Sequence, residues 1–271
     1  MKRVLLAFVI IAFLTVSCVN DAGRMIDVDG HKMYLYCEGS GSPTVILEAG
    51  YNDVSDTWNL VQLEVAGFTR VCSYDRAGLR RSEPGPEPRD SDQIIQELHS
   101  LLENAGIEGP YILVGHSLGG MYMRLFADSY PDEVTGLVLV DAAHKDDAER
   151  CAAVLPPETT NESESLKELR AYLADPVIFP DIPDRIFEPG SLDDLPLVVL
   201  SVPSQQRPED LPVELWNAMD KIWMDLQEEW ALTSTNSTHI LVYESSHFIQ
   251  QDQPEQVIEA IRLIFNEVQA K

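Results

Sequence analysis

The feature that most constrains the fold of this sequence is a serine held between two glycines at the end of an apolar run. In GPYILVGHSLGG, residues 109–120, Ser117 has Gly115 and Gly119 two positions away on either side. The run 111–114 is typical of a buried parallel strand, and the residues after Ser117 change to helical spacing. A turn this tight brings backbones too close together for a β-carbon, which favours glycine. The pattern G-x-S-x-G therefore predicts a serine on a strand-to-helix turn.

Strands alternate with helices along most of the chain. An Asp29-Gly30 turn between two alternating runs predicts a hairpin at the start. Further apolar runs alternate with helical patterns such as residues 91–105, which Gly106 ends. This order predicts an α/β protein with a mostly parallel sheet and an antiparallel edge. In such sheets ligands bind at the carboxyl ends of the strands, where Ser117 is expected.

One segment interrupts this alternation. Residues 145–195 are rich in proline and acidic side chains and predict one helix near residues 163–174. The segment holds 13 acidic and 5 basic residues, a net charge of −8. A long acidic insertion beside a binding site disfavours anionic substrates.

The charge and the first residues bear on the location of the protein. The net charge of −26 argues against nucleic acid and bare anionic membranes as partners. Residues 1–17 combine two basic residues, a short apolar run and small or polar residues, which predicts a signal peptide. Ser17 before Cys18 resembles a bacterial lipobox, so we expect a lipidated Cys18, a linker over 18–24 and an exported, membrane-anchored protein. The alternatives are an ordinary cleaved signal, with secretion, or an uncleaved anchor.

A serine nucleophile needs a base, and the position of His247 in the sequence favours it among six histidines. His247 follows the last predicted strand in YESSHFIQQDQPEQV, so it belongs to the same sheet edge as Ser117. His144 also follows a strand and is the second candidate. His116 adjoins the serine, but neighbours in a tight turn point in different directions, so we expect it to pack or to line the pocket.

Acyl transfer also needs hydrogen-bond donors for the developing oxyanion. One is the backbone N–H of Leu118, the residue after the nucleophile. The second is expected from the loop after VILEAG, where Gly50 and Tyr51 are the candidates and Tyr51 is preferred. None of this chemistry calls for a cofactor or a metal.

These motifs together resemble the α/β-hydrolase superfamily, and in particular its small serine hydrolases. The resemblance covers roughly residues 25–270 and rests on five motifs in family order, LEAG, YDRAGLRRS, GHSLGG, YPDEVTGLVLVD and SSHFIQQDQPEQV. It implies one α/β-hydrolase domain over 25–271, an eight-stranded sheet with helices on both faces, and a cap over about 145–195, after the sixth strand. It further implies a serine esterase acting on small or medium acyl substrates. The alternatives are amide, lactone or carbon–carbon bond hydrolysis, or a ligand-binding protein without activity.

The loops around the predicted site show one match and one departure from relatives. Asp75, Arg76 and Gly78 resemble the family's D-x-x-G loop, which we interpret as structural. Many relatives have histidine-glycine where this chain has Ala49-Gly50. The neighbouring Glu48 is either a pocket carboxylate or a buried structural one.

The acid that orients His247 must lie between Ser117 and the histidine in the chain. Relatives usually place it shortly after the seventh strand, but the first carboxylates there, Glu209 and Asp210, come late and begin a helix-forming stretch. Asp141, at the end of the sixth strand, has the position that some lipase-like relatives use. We prefer Asp141 and keep Glu209 and Asp210 as alternatives.

The cysteines add one further expectation from the resemblance. In the usual strand order of the family the second and fourth strands are neighbours, which would bring Cys37 and Cys72 together as a disulfide. Export would permit such a bond, because the compartment is oxidising. Cys151 is left over as a free thiol.

Overall fold

One eight-stranded sheet forms the centre of the molecule. It is seen in a computed structural model that describes residues 23–175 and 182–271. The predicted signal peptide, Cys18 and most of the linker lie outside these residues. The strands are β1 (Arg24–Val28), β2 (His31–Glu38), β3 (Thr44–Glu48), β4 (Val71–Tyr74), β5 (Tyr111–His116), β6 (Val134–Val140), β7 (Leu197–Ser201) and β8 (Ser237–Leu241).

The sheet confirms the predicted topology. Its order is β1-β2-β4-β3-β5-β6-β7-β8. β2 is antiparallel to both of its neighbours, and the strands from β4 through β8 pair in parallel. The Asp29-Gly30 turn joins β1 to β2 as expected, with both residues at positive φ.

Helices cover both faces of the sheet. They are α1 (Asn59–Val65), α2 (Ser91–Ala105), α3 (Leu118–Ser129), α4 (Asp147–Val154), α5 (Glu164–Leu173), α6 (Val213–Leu232), α7 (Ile249–Asp252) and α8 (Pro254–Gln269). Successive β3 residues point to opposite faces: Ile46 joins the core under α2 and α3, whereas Val45 and Leu47 join the core under α1 and α8. Of the helices in the described parts of the chain, none has both the length and the apolar character needed to span a membrane.

The segment between β6 and β7 holds more helix than the sequence indicated. α5 agrees with the expected helix near residues 163–174, and Ser163 caps it by accepting a hydrogen bond from the Leu166 N–H. α4 was not predicted. Only Asp147 and Cys151 of this helix are buried, so it has no apolar stripe from which helical periodicity could be recognised.

The predicted disulfide is present. Cys37 on β2 lies directly opposite Cys72 on β4, with their α-carbons 4.1 Å apart, and the two sulfurs are bonded. This distance is slightly below the roughly 4.4 to 6.8 Å that usually separates the α-carbons of bonded cysteines. Cys151 is a buried free thiol.

Candidate active site

Ser117 occupies a strained turn between β5 and α3. Its backbone has φ 52° and ψ −126°, a conformation that residues other than glycine rarely adopt. Glycine is required at positions 115 and 119 because backbone atoms of other residues lie too close to leave room for a β-carbon. A β-carbon on Gly115 would lie 2.5 Å from the Gly119 carbonyl oxygen, and one on Gly119 would lie 2.5 Å from the Ala49 carbonyl oxygen. The turn thus presents a half-buried serine at the carboxyl edge of the sheet.

A cavity of about 160 Å³ brings the predicted site residues together. Ser117 and His247 both line it, and so do Leu118 and Tyr51, whose backbone N–H groups were predicted as oxyanion donors. Leu118 is the first residue of α3, where N–H groups have no partner within the helix. The remaining lining residues are Gly50, Asp53, His116, Ala143, Tyr172 and Phe248.

His247 is hydrogen-bonded to Asp141. The His247 Nδ1 lies 2.7 Å from the Asp141 Oδ2, and the carboxylate is fully buried directly after β6. A carboxylate accepts hydrogen bonds, so Nδ1 donates and the Nε2 of the neutral ring is left to accept a proton. This is the arrangement that a general base requires.

Three further groups hold the carboxylate of Asp141. The Val202 N–H donates to Oδ1 at 3.0 Å, the Trp223 Nε1–H to Oδ1 at 2.9 Å, and the Gln205 side-chain amide to Oδ2 at 3.2 Å. Trp223 and Gln205 were not singled out from the sequence. No local pattern marks them, because their positions depend on how α6 and the loop after β7 pack over β6.

The two alternative acids lie elsewhere. Glu209 and Asp210 are exposed in the loop before α6. Asp210 accepts a hydrogen bond from the Ser165 N–H at 3.3 Å, and such bonds with Ser165 lower the pKa of its carboxyl. Among the carboxylates in the described residues, the one hydrogen-bonded to His247 belongs to Asp141.

His116 supports the loop that carries His247. Its Nε2–H donates to the His247 carbonyl oxygen at 2.9 Å. Burial, and then the nearby His247 ring, hold the pKa of His116 well below its usual range, so the ring is neutral. Its Nδ1 faces Gly50, where an added β-carbon would lie 3.0 Å away. His116 thus both packs against its neighbours and lines the cavity, the two roles expected from its position beside Ser117.

Arg76 fixes the loop after β3. Its guanidinium donates to the carbonyl oxygens of Ala49 at 2.7 Å and Gly50 at 2.6 Å, and it also pairs with Glu48. In a trans peptide the C=O and the following N–H point in opposite directions, so the Tyr51 N–H is directed away from Arg76. Burial raises the pKa of Glu48 to about 7 against the opposing effect of Arg76. Glu48 is therefore the buried structural carboxylate.

His144, the second candidate base, does not line this cavity. It is buried, and its ring packs edge-on against Phe187 and Trp230. Its Nδ1 accepts a hydrogen bond from the Asp146 N–H at 3.2 Å, and burial lowers the pKa of His144 to about 4.

The same histidine belongs to the one group in the described residues with donor atoms spaced for a metal ion. His144, Asp146 and Glu229 each have one such atom, and these atoms lie within 4.8 Å of one another. Arg150 donates to Asp146 at 3.0 Å and to Glu229 at 2.6 Å and 2.9 Å. A guanidinium thus already neutralises both carboxylates.

Comparison with known proteins gives one family and many similar folds. The model of the family described as "Alpha/beta hydrolase family" matches residues 45–260. YqjL of Bacillus subtilis (strain 168), an uncharacterised protein, is 31% identical over 220 residues, which cover 80% of this chain and 81% of YqjL. A thermophilic esterase from Thermogutta terrifontis is 21% identical with a TM-score of 0.64, covering 91% of this chain and 99% of the esterase. A putative lipase from Acinetobacter baumannii AYE is 18% identical with a TM-score of 0.66, covering 93% of each chain.

Proposed function

Because this chain belongs to the alpha/beta hydrolase family, we propose that it is a serine hydrolase whose substrates are carboxylic esters. The observation that carries the proposal is the hydrogen bond from His247 to Asp141 beside a cavity that Ser117 also lines. A nucleophile, a base and an orienting acid are the groups that acyl transfer needs. Their order in the chain, serine then acid then histidine, is the order typical of this fold.

The reaction proceeds in two halves. His247 Nε2 takes the proton of Ser117 as Oγ bonds to the ester carbonyl carbon, and the carbonyl oxygen becomes an oxyanion. The N–H groups of Leu118 and Tyr51 donate to that oxyanion. The ester C–O bond then breaks, and the histidine returns its proton to the departing alkoxide. In the second half His247 takes a proton from water as the water oxygen bonds to the acyl carbon. The bond from that carbon to Ser117 Oγ then breaks, the histidine returns the proton to Oγ, and the acid leaves.

Ester hydrolysis is the preferred reaction among those that the fold supports. Similar folds include an esterase, a putative lipase and an enzyme described as degrading N-acyl homoserine lactones. These structures are less than 25% identical to this chain and support the fold alone, so the reaction must be measured. A panel of p-nitrophenyl esters of graded acyl length, with matched p-nitroanilides, separates ester from amide cleavage. We expect turnover of the esters and at most slow turnover of the anilides.

A fluorophosphonate probe separates an enzyme from a binding protein. We expect covalent labelling at Ser117, located by peptide mass spectrometry, and none in Ser117→Ala. Ser245→Ala is the matched control, because the Ser245 hydroxyl donates to the Ser246 carbonyl oxygen on the loop before His247 and does not line the cavity, so labelling is expected to be unchanged. Absence of labelling in a folded wild-type sample would overturn the proposal in favour of a ligand-binding protein.

We also propose that the protein is exported and anchored through a lipid on Cys18. The Cys37–Cys72 disulfide supports export, because such bonds persist in oxidising compartments. Metabolic labelling with a palmitate analogue is expected to mark the wild type and not Cys18→Ser. Recovery of unlabelled wild-type protein in the cytosolic fraction, with Cys37 and Cys72 reduced, would contradict this location.

A further inference from the structure

A second cavity lies next to the candidate active site. Its volume is about 240 Å³, and it shares His247 and Tyr172 with the cavity around Ser117. We call it the side pocket. Its other lining residues are Asp147, Cys151, Leu169, Leu173, Gln205, Trp216, Met219, Asp220 and Trp223. These residues come from α4, α5, α6 and the loop after β7, so the pocket lies between the insertion after β6 and the long helix α6.

Two carboxylates of the side pocket lack cationic partners. Asp147 is 6% exposed and accepts a hydrogen bond from the Cys151 thiol at 3.2 Å. Asp220 accepts one from the Ser204 hydroxyl at 2.7 Å. Neither is in an ion pair with another residue of the described chain. Burial raises the pKa of Asp147 against the smaller opposing effects of Cys151 and His247, and burial raises the pKa of Asp220 against its hydrogen bonds with Ser204 and Gln205.

The aromatic side chains of the pocket have their polar groups occupied. The Trp223 Nε1–H donates to Asp141 at 2.9 Å, and the Trp216 Nε1–H donates to the Gln205 carbonyl oxygen at 3.2 Å. These rings therefore offer the pocket π-electrons and carbon surface instead of hydrogen-bond donors. The face of a tryptophan attracts cations, and most strongly where water is displaced.

We propose that the side pocket binds an ammonium group of the substrate and so selects esters that carry one. Two carboxylates without ion-pair partners and two indole rings attract such a group, and the pocket has no lysine or arginine among its described lining residues. A carboxylate or phosphate in the same place would meet two like charges. His247 at the boundary joins the pocket to the reacting atoms, so an ester group can reach Ser117 while its ammonium group lies in the side pocket. The selection of substrates rests on the proposed ester hydrolysis, whereas ammonium binding does not.

The direct test compares esters that differ by one atom. Choline butyrate and 3,3-dimethylbutyl butyrate differ only in nitrogen against carbon and place the group in the alcohol part. The p-nitrophenyl esters of 4-(trimethylammonio)butanoate and 5,5-dimethylhexanoate place it in the acyl part. We expect the charged member of one pair to have at least a tenfold higher kcat/KM, mainly through a lower KM. Equal values within both pairs, or a preference for the neutral esters, would overturn the proposal.

A surface-charge control separates the side pocket from the acidic surface. Asp147→Asn combined with Asp220→Asn should lower the preference for the charged ester about tenfold, through a higher KM for the charged ester. Glu214→Gln removes a charge from the exposed side of the same helix as Asp220 and should preserve the preference. The preference of the wild type should also persist in 0.5 M salt, because salt screens exposed charges far more than buried ones. Equal loss in Glu214→Gln, or loss in salt, would assign the effect to the surface.

A binding measurement distinguishes failure of this inference from failure of the proposed function. Choline and 3,3-dimethylbutanol are titrated into Ser117→Ala while tryptophan fluorescence is followed, because Trp216 and Trp223 line the pocket. We expect choline to change the emission at concentrations at least tenfold lower than the alcohol, and the Asp147→Asn/Asp220→Asn change to abolish the difference. Choline binding without ester turnover in the wild type would leave the pocket correct and the esterase wrong. Ester turnover with no difference between the two ligands would leave the esterase correct and the pocket wrong.

Discussion

At the scale of single residues, four donors converge on the buried carboxylate of Asp141. The donors on Val202, Gln205 and Trp223 fix the orientation of the carboxylate without any contribution from His247. The imidazole therefore donates to an acceptor that is already oriented. Asp141 itself has a positive φ of 44°, and its N–H donates to Leu200 at 2.7 Å. Asp141, which orients the proposed base, thus has a strained backbone conformation directly after β6.

Replacing Asp141 tests its role as the orienting acid. Asp141→Asn keeps the size of the side chain but replaces an acceptor oxygen by an amide donor, which favours the wrong tautomer of His247. We expect kcat to fall about 10⁴-fold, with folding and KM little changed. Asp210→Asn is the control, since the exposed Asp210 contacts Ser165 and should retain full activity. A large loss in the control with a silent Asp141→Asn would return the acid to the loop after β7.

Replacing Ser117 tests the nucleophile. Ser117→Ala removes only a hydroxyl from a half-buried turn, so we expect an unchanged unfolding midpoint and a loss of kcat of about 10⁶-fold. The measurement is ester turnover with purified enzyme alongside a urea unfolding curve. Residual activity above a hundredth of the wild-type value would rule out Ser117 as the nucleophile.

The residues of the candidate site that could be predicted from the sequence are those that the strand order positions. Ser117, Asp141 and His247 each follow a strand directly or closely, and parallel strands bring their carboxyl ends to one edge. The supporting contacts of Trp223 and His116 depend on packing between distant segments, and residue type gives no indication of them.

At the scale of elements, the loop after β4 holds the conformation of the loop after β3 through hydrogen bonds. Arg76, beyond the end of β4, holds the carbonyl oxygens of Ala49 and Gly50 and thereby sets the direction of the Tyr51 N–H. Arginine suits this position because its planar fork donates to two acceptors at fixed spacing. Arg76 is a positioning residue, acting on the proposed oxyanion donor through the backbone.

A conservative substitution tests this positioning. Arg76→Lys keeps the charge beside Glu48 but cannot reproduce both carbonyl contacts. We expect kcat to fall by about 10² to 10³, as when one oxyanion donor is lost, with KM changed less than threefold. Arg80→Lys, on an exposed arginine paired with Asp56, should leave both constants unchanged. An increase in KM at constant kcat for Arg76→Lys would instead indicate a role in substrate binding.

The disulfide joins two further elements, β2 and β4, across 35 residues. Closing a loop of this length restricts the unfolded chain, and we expect Cys37→Ala with Cys72→Ala to lower the free energy of unfolding by about 4 kcal/mol. Urea unfolding of the variant and of the oxidised wild type measures the difference. A reductant should destabilise the wild type and leave the variant unchanged. Equal sensitivity of the two proteins would show that the bond does not form.

Whether a helix can be predicted from this sequence depends on whether its apolar residues recur with helical spacing. The amphipathic helix α2 buries a continuous apolar face and is predicted from the sequence, whereas α4 buries only an aspartate and a cysteine and is not. Its conformation is fixed by tertiary contacts such as the pairing of Arg150 with Glu229 on α6.

At the scale of the whole molecule, the free energy of unfolding depends on pH through groups whose pKa values shift in opposite directions when the chain folds. Burial lowers the pKa of His144 to about 4, so between pH 4 and 6.5 the unfolded state binds a proton that the folded state excludes. His116 acts in the same direction. The pKa of the Glu48 carboxyl is raised to about 7, so this group binds its proton more tightly in the folded state. As pH rises from 4.5 to 7, Glu48 therefore lowers the free energy of unfolding, whereas the two histidines raise it. Burial also raises the pKa values of Asp147 and Asp220, which act in the direction of Glu48.

The contribution of His144 can be isolated by comparison with a variant. His144→Asn keeps an acceptor for the Asp146 N–H but does not titrate. Between pH 4.5 and 6, we expect the free energy of unfolding of the wild type to gain about 1.4 kcal/mol per pH unit more than that of the variant, the slope for one proton. Urea unfolding at four pH values measures both slopes. Parallel slopes would mean that His144 is protonated in the folded protein.

The contacts of His247 also determine when the protein becomes active during its synthesis. The residues that hold it, Asp141 and His116, precede it by 106 and 131 positions. A nascent chain that has emerged only through β7 already contains the proposed nucleophile and the proposed acid but lacks His247, the proposed base. The proposed activity is therefore expected to begin only after β8 and the loop that follows it have joined the sheet. A single proteolytic cut that releases this last segment should abolish that activity while leaving Ser117 intact.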